Sequence, residues 1–438
     1  MTNKNNSDKP GSLDAWLGYI EGLNPTKMEL GLSRVQKVIS RLSLDSLKQA
    51  LKIEIAGTNG KGSTAALVSS ALSFSGISTG LYTSPHLLKF NERIMIDGTP
   101  VSDELLCEAF SLVYDNSKDV PLTYFEFTTL AGFVCFDRAK VKVAVMEIGL
   151  GGRLDAVNAL DSDISVITSI GLDHTHILGD TLEKIAEEKA GIIKDNSVVV
   201  VGRMKPEPLY RISQICKERN ASLHVEGVDF SGVFDTKFRY VQKGSSIVTS
   251  FEYPKPRIPE ICAPVALKVI HLLLEKGYKI SGSAIVKAIT EVSLPGRMQC
   301  VHHSPSIYLD VAHNPPAAEH LRDVLNKKTK LAKRRAVIGM LKDKDIESVL
   351  KILKDSFDNF YVSSLPTERG EKAQRLYNAL IAYGVDKDLV KSYSTVEESL
   401  NDCLADAEIN DEIYVIGSFV TVTEAVKALK TTNINIGN

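Results

Sequence analysis

The run Gly57-Thr58-Asn59-Gly60-Lys61-Gly62-Ser63 packs three glycines, a lysine and two hydroxyls into seven residues. Glycines allow backbone N–H groups to turn toward an anion, and a helix starting just beyond them adds a favourable dipole. Lys61 can bring positive charge to the terminal phosphates of a nucleotide, and the Ser63 or Thr64 hydroxyl can reach a metal ion. This is the chemistry of holding ATP. The alternative, a tight turn with a solvent-facing lysine, sits poorly with three glycines placed between a strand pattern and a helix pattern. The spacing departs from G-x-x-x-x-G-K-[ST] in two ways. Only two residues separate Gly57 from Gly60, and Gly62 intervenes between Lys61 and Ser63.

The elements that must position this loop follow from local patterning. Ile53–Ala56 is an apolar strand running into the glycines, and Ser63–Ser75 is a helix with Leu67, Ala71 and Leu72 on one stripe and Gly76 as its stop. Further strands are expected at Val141–Ile148, Ile164–Ser169 and Val198–Val201, with a helix at Glu183–Ile193. From Ser222 to Pro259 helix formers thin out and three prolines interrupt, which suits small β hairpins at the edge of the first domain. Helices at Val265–Lys276 and Ser283–Thr290 lead to the turn-forming Leu294-Pro295-Gly296-Arg297, the expected hinge. A second alternation runs through Ile307–Leu309, Ala336–Ile338, Phe360–Val362 and Ile413–Ile416. The expected fold is α/β: a parallel-sheet domain carrying the phosphate loop, residues 13–295, then a smaller Rossmann-like α/β domain, residues 296–438.

Bulk composition removes other classes. A chain of 438 residues is long for one core, so two domains are expected. Its 52 basic and 54 acidic side chains nearly cancel, which gives no electrostatic reason to expect nucleic acid or an anionic membrane as partner. No apolar run reaches membrane-spanning length, and residues 1–12 read as a disordered lead-in without a signal-peptide core. Six scattered cysteines without a C-x-x-C pair suggest reduced thiols in a cytoplasmic protein.

The loop Ala56–Ser63 resembles the phosphate loop of the Mur ligase superfamily, and within it the bacterial dihydrofolate synthase/folylpolyglutamate synthase family. The resemblance extends over nearly the whole chain. It includes Leu81–His86, Asn91–Ile94, Leu122–Glu126, Glu147–Ala156, Ser169–Thr175, Glu188–Gly191, Pro295–Arg297, Asp310–Pro315 and Gly417–Phe419. It implies a ligase that phosphorylates a carboxylate with ATP and lets the amine of L-glutamate attack the acyl phosphate. The substrates implied are dihydropteroate and tetrahydrofolate tails. A carboxylate has no good leaving group until phosphate is attached, and positioning and charge neutralisation dominate such a transfer.

The same resemblance implies specific roles. Thr58, Asn59, Gly60, Lys61, Gly62 and Ser63 would hold ATP, joined by Cys262, Arg297 and Asp310. Ser84, Glu147 and His174 would bind two Mg2+ ions, with Mn2+ able to substitute. Each of the three follows a strand-like segment, so all could gather at the carboxyl edge of a parallel sheet. Lys61, His174 and Lys189 form the implied catalytic set, Lys189 being carbamylated. The plain reading of Lys189 is a helix-surface lysine beside two glutamates. Thr123, Tyr124, Phe125, Glu126, Leu154, Asp155, Ala156 and His313 would line the substrate cleft. For Thr123–Glu126 the competing reading is core aromatics at a helix start. The family's asparagine in a Gln-x-Asn-Ala motif is replaced here by Cys262, within Glu260-Ile261-Cys262-Ala263, and a thiol cannot make an amide's two-sided hydrogen bonds. A monomer is expected. Two rivals stand beside this reading: a peptidoglycan-type Mur ligase and a nucleotide-binding regulatory ATPase.

Overall fold

The computed structural model of the protein describes residues 9–23, 31–244 and 248–431. These residues divide into two units, one within Met1–Ile170 and Leu182–Val292, the other within Gly171–Thr181 and Ser293–Asn438. Residues 171–181, read from the sequence as part of the first domain, group with the second unit. Of the expected lead-in, residues 1–8 lie outside the described residues. Lys9 pairs with Asp115, and the Ser12 hydroxyl caps the helix Leu13–Glu21 by accepting from Ala15 N, so residues 9–12 belong to the folded unit.

The first unit is built on an eight-stranded sheet. Its strands are β1 (Leu51–Ala56), β2 (Thr79–Tyr82), β3 (Ile94–Ile96), β4 (Thr99–Pro100), β5 (Val143–Glu147), β6 (Ile164–Ile167), β7 (Val198–Val201) and β8 (Ser222–Val225). Their order is β4-β3-β2-β5-β1-β6-β7-β8, parallel from β2 to β8 and antiparallel at the β2–β3 and β3–β4 pairs. Strands flanked on both sides and covered on both faces are largely apolar. That is why β5, β6 and most of β1 and β7 read as continuous buried runs. The expected hairpin region divides. β8 adds to the large sheet, while β9 (Phe230–Phe234), β10 (Phe238–Lys243) and β11 (Val248–Tyr253) form a separate antiparallel sheet.

The second unit carries a six-stranded sheet of β12 (Gln299–His303), β13 (Ser306–Leu309), β14 (Arg334–Ile338), β15 (Asn359–Ser363), β16 (Val390–Tyr393) and β17 (Glu412–Ile416). The order is β12-β13-β17-β14-β15-β16, parallel except for β12 against β13. The Rossmann-like expectation holds. The short strands β2–β4, β12 and β16 were not expected. β16 is an edge strand with exposed Lys391 and Ser392, and a half-solvated edge lacks the apolar run that marks a central strand.

Candidate functional site

In the first unit, strands β1, β2, β5 and β6 point their carboxyl ends the same way. That edge is where open parallel sheets hold ligands. β1 ends at Ala56 and runs into the glycine loop, and the helix Lys61–Phe74 starts from Gly60. Gly57 and Gly60 have φ of 152° and 87°, and a Cβ on Gly57 would lie 1.9 Å from Thr168 Oγ1. Glycine is therefore required there by both conformation and space.

The loop is tied to residues that follow β6. Thr58 N donates to Ser169 O at 2.9 Å, Asn59 N to Ser169 Oγ at 3.0 Å, and Thr168 Oγ1 to Asn59 O at 2.7 Å. Lys61 Nζ reaches back to Gly57 O at 3.1 Å, folding its ammonium over the loop. Cys262 is buried against this turn, its Sγ 3.7 Å from Gly60 O. The thiol fills space that a Cβ on Gly60 would contest at 2.9 Å.

The metal-binding expectation can be tested on the first-unit residues. Ser63 and Thr64 are buried on the first turn of the helix, and neither hydroxyl has a hydrogen-bond partner among the described residues. Glu147, buried at the end of β5, accepts from Ser84 N at 3.2 Å. Because residue 62 is glycine, Glu147 Oε2 approaches the loop, 3.2 Å from where a Cβ would stand. Buried oxygen donors beside a phosphate loop fit a hard cation such as magnesium.

Lys189 overturns its plain reading. It lies on the inner stripe of the helix Leu182–Ala190 with Ile185, Ala186 and Ala190, and only 5% of it is exposed. The signal was available: Lys189 follows Ile185 by four residues, one turn along the apolar face. Its helix end is sewn to the glycine-rich loop after β5. Arg153 N donates to Glu188 O at 2.8 Å, and a Cβ on Gly152 would lie 2.8 Å from Lys189 O.

Asp155 organises the same loop from within. Its oxygens accept from Leu150 N at 2.8 Å and Val157 N at 3.0 Å. Burial pushes its carboxyl up to about 6, against those N–H donors and the Lys61 charge. Leu154 is half-buried and Ala156 buried beside it.

The expected pterin-facing segment splits by chemistry. Thr123 and Glu126 form a capping box at the start of the helix Tyr124–Ala139, with Thr123 N donating to Glu126 Oε2 at 2.7 Å. The Glu126 carboxylate also pairs with Arg34 at 2.9 Å, a partner 92 residues away that the sequence did not suggest. Both polar side chains are thus engaged in holding the start of the helix. The aromatic pair is the more open part. Phe125 lies over Gly149, whose absent Cβ would sit 2.5 Å from the ring, and Tyr124 lies 5.6 Å from the Arg93 guanidinium. Arg93 is buried and donates to His86 Nδ1 at 2.8 Å. Burial and then the Arg93 charge bring His86 down to about 4, so it accepts as a neutral ring. His86 and Arg93 stood inside the recognised motifs without an assigned role.

Removing one partner of a buried ion pair costs about 3–5 kcal/mol. Arg34 is one-fifth exposed, so Arg34→Met should cost toward the low end of that range. The expected outcome is a clear drop in thermal midpoint by calorimetry; an unchanged midpoint would reject this role for the pair.

The second unit assembles its own polar cluster around Asp173. Lys344 Nζ donates to Asp173 Oδ1 at 2.8 Å, Asn314 Nδ2 to Oδ2 at 2.8 Å, and His313 Nε2 stands 3.6 Å away. Burial alone would raise this carboxyl. The nearby His313 ring and the Lys344 charge instead hold it well below the usual carboxylate range. This clamp is why residues 171–181 group with the second unit. His174, at φ 51°, places Nε2 3.2 Å from Lys344 Nζ. Burial and the same ammonium bring it down to about 4. With Lys344 donating, His174 Nε2 is the acceptor, so metal ligation through that atom requires Lys344 to turn away. His313 Nδ1 donates to Val311 O at 2.7 Å, and Asn314 caps the helix Pro315–Lys327.

Asp310 follows β13 and accepts from Met298 N and Ala312 N, each at 2.8 Å, while Arg297 lies 5.3 Å from the Phe419 ring. Burial raises the Asp310 carboxyl, opposed by the Arg297 charge and these N–H donors. Asp310 therefore holds the turn that carries Arg297.

Two family models match the chain: the Mur ligase middle domain over residues 55–253, and the Mur ligase, glutamate ligase domain over residues 296–419. The dihydrofolate synthase/folylpolyglutamate synthase of Escherichia coli is 37% identical over 419 residues, covering 95% of each chain. Its counterpart in Bacillus subtilis is 31% identical over 436 residues, 94% of this chain and 98% of its own. A solved structure of E. coli FolC in complex with DHPP and ADP matches with a TM-score of 0.88 at 37% identity, covering 96% of this chain and 98% of that one. A bifunctional folylpolyglutamate synthase/dihydrofolate synthase with Mn, AMPPNP and L-glutamate bound matches with a TM-score of 0.86 at 38% identity and the same coverage.

Proposed function

From a chain that belongs to the dihydrofolate synthase/folylpolyglutamate synthase family, we propose the following assignment of its chemistry to its residues. The protein is an ATP-dependent ligase that adds L-glutamate to dihydropteroate and extends the glutamate tails of folates. The observation that carries the assignment is the carboxyl edge of the first sheet. There the glycine loop, two buried hydroxyls without a partner among the described residues, and the buried Glu147 lie around one turn.

Thr58–Ser63 hold the phosphates, and Lys61 neutralises charge as the γ-phosphoryl group moves to the substrate carboxylate. ADP leaves as the acyl phosphate forms, and the glutamate amine then attacks its carbonyl; the C–N bond forms, the amine loses a proton, the C–O bond to phosphate breaks, and phosphate leaves. Ser63, Ser84 and Glu147 would hold the divalent metal, which supplies charge neutralisation at the phosphates when bound. His174, in the second unit, is assigned to the metal on resemblance, as is the second ion. Carbamylated Lys189 would orient that ion from beside the loop Gly149–Asp155. Tyr124, Phe125 and Leu154 are the surfaces offered to a flat pterin ring. Arg297, Asp310 and His313 serve nucleotide and glutamate from the second unit. We further assign a cytoplasmic monomer without nucleic-acid partners; no described helix is long and apolar enough to cross a membrane. A regulatory ATPase would have no need of a carboxylate and an amine together.

The test is ADP release measured with dihydropteroate and with tetrahydrofolate, each with and without glutamate. Both activities are present if each acceptor gives glutamate-dependent ADP. Release that ignores glutamate would refute the ligase assignment.

A further inference from the structure

Beneath the seam that joins Arg153 to the Lys189-bearing helix, the first unit buries polar atoms that the reaction does not use. Glu54 lies in the middle of β1, the strand that leads to the phosphate loop, and is fully buried. Neither of its carboxyl oxygens has a hydrogen-bond partner among the described residues. Its register neighbours are Met146 on β5 and Ser165 on β6.

A second orphan lies in the short helical turn Ala156–Ala159, between β5 and β6. Asn158 is buried, and its Nδ2 donates to Arg153 O at 3.0 Å and Gly191 O at 3.2 Å, bridging the glycine-rich loop to the end of the lysine helix. Its Oδ1 has no donor among the described residues. Ser165 Oγ and Ser162 Oγ reach the next carbonyl, Ile192 O, at 3.0 and 3.3 Å. Two buried orphans, one able to donate when protonated and one able only to accept, are complementary.

Among the described residues, neither lysine near Glu54 pairs with it. Lys194 Nζ goes to Asp161 at 3.1 Å and to Asn158 O at 3.4 Å, and Lys52 Nζ goes to Ala50 O at 2.7 Å. Burial pushes the Glu54 carboxyl well above its ordinary range. Asp155 and Asp161 push the same way, while Lys194 and Lys52 oppose. A carboxyl without a paired cation in such a place is kept as the neutral acid.

We propose that Glu54, as a carboxylic acid, is a positioning residue whose O–H holds Asn158 Oδ1, directly or through one bridging water. It thereby fixes the amide that ties Arg153 and Gly191 together and sets the backbone of Lys189. The catalytic consequence rests on the assignment of Lys189 to the reaction.

The test compares Glu54→Gln, which keeps a donor, with Glu54→Val, which suits a strand but has none. Hydrogen exchange is followed in the peptides spanning 149–158 and 188–193, with β7 as internal reference. Glu54→Gln should match the parent protein. Glu54→Val should exchange about tenfold faster in the seam alone, the size of one lost hydrogen bond. It should also lower kcat with KM for ATP unchanged. Parent-like protection in Glu54→Val, or equal loosening in Glu54→Gln, overturns the proposal. Infrared difference spectra of parent against Glu54→Gln serve if Glu54→Val does not fold: a protonated-carboxyl stretch lost in Glu54→Gln is expected, and its absence overturns the proposal. Lys189→Ala separates the two assignments. If it abolishes turnover while a loosened Glu54→Val keeps full kcat, the positioning role is wrong; if Lys189→Ala itself is fully active, the Lys189 assignment is wrong.

Discussion

Lys61→Ala is expected to reduce ligation by roughly 10²–10³-fold or more, the loss seen when one preorganised charge-stabilising donor is removed from a transition state. Lys61 Nζ lies back over the glycine turn in contact with Gly57 O, on the loop proposed to hold the phosphates. A positive charge on that turn is what such a transfer needs against the developing phosphate charge. Part of the effect should spread to the neighbouring loop. The Lys61 charge opposes the burial that pushes Asp155 up to about 6, so removing it leaves that carboxyl still easier to protonate. Ionised Asp155 is the stronger acceptor for Leu150 N and Val157 N. The measurement is glutamate-dependent ADP release at saturating ATP, alongside a thermal midpoint to confirm folding. Near-normal turnover in a folded variant would sink the phosphate-loop assignment.

The second large effect belongs to Lys189→Ala. A lysine 5% exposed on the inner stripe of its helix is costly unless its head group is compensated or chemically changed. Carbamylation turns the amine into an anion and requires the neutral amine, which burial favours. On the proposed carbamylation, truncation to Ala removes the anion and opens space for a small carboxylate. Turnover should fall by orders of magnitude and be restored in part, in a concentration-dependent way, by formate or acetate but not by chloride. Full activity without rescue would refute any role in the reaction; lost activity that no carboxylate restores would refute the anion.

How much of this was readable in advance depended on how local the physics was. The phosphate loop, β1 and β7 were legible because glycine spacing and unbroken apolar runs act over a few residues. The irregular spacing around Lys61 pointed to the right family more sharply than a regular match would have. Edge strands such as β16 escaped because half their surface is wet. The polar half of Thr123–Glu126 was ambiguous for another reason. A capping box and a ligand-facing pair have the same sequence, and only Arg34 shows how Glu126 is used.

What the chain determined by itself, then, was its alternation of strands and helices and the glycine loop proposed to hold ATP, since both follow from short-range rules. Tertiary structure alone decided which charges are buried and with whom. Asp173 meets Lys344 across 171 residues of sequence, Glu126 meets Arg34 across 92, and Glu54 sits in a core strand with no hydrogen-bond partner among the described residues. Periodicity says which face a residue shares, but the cost of a buried charge depends on what the fold brings against that face.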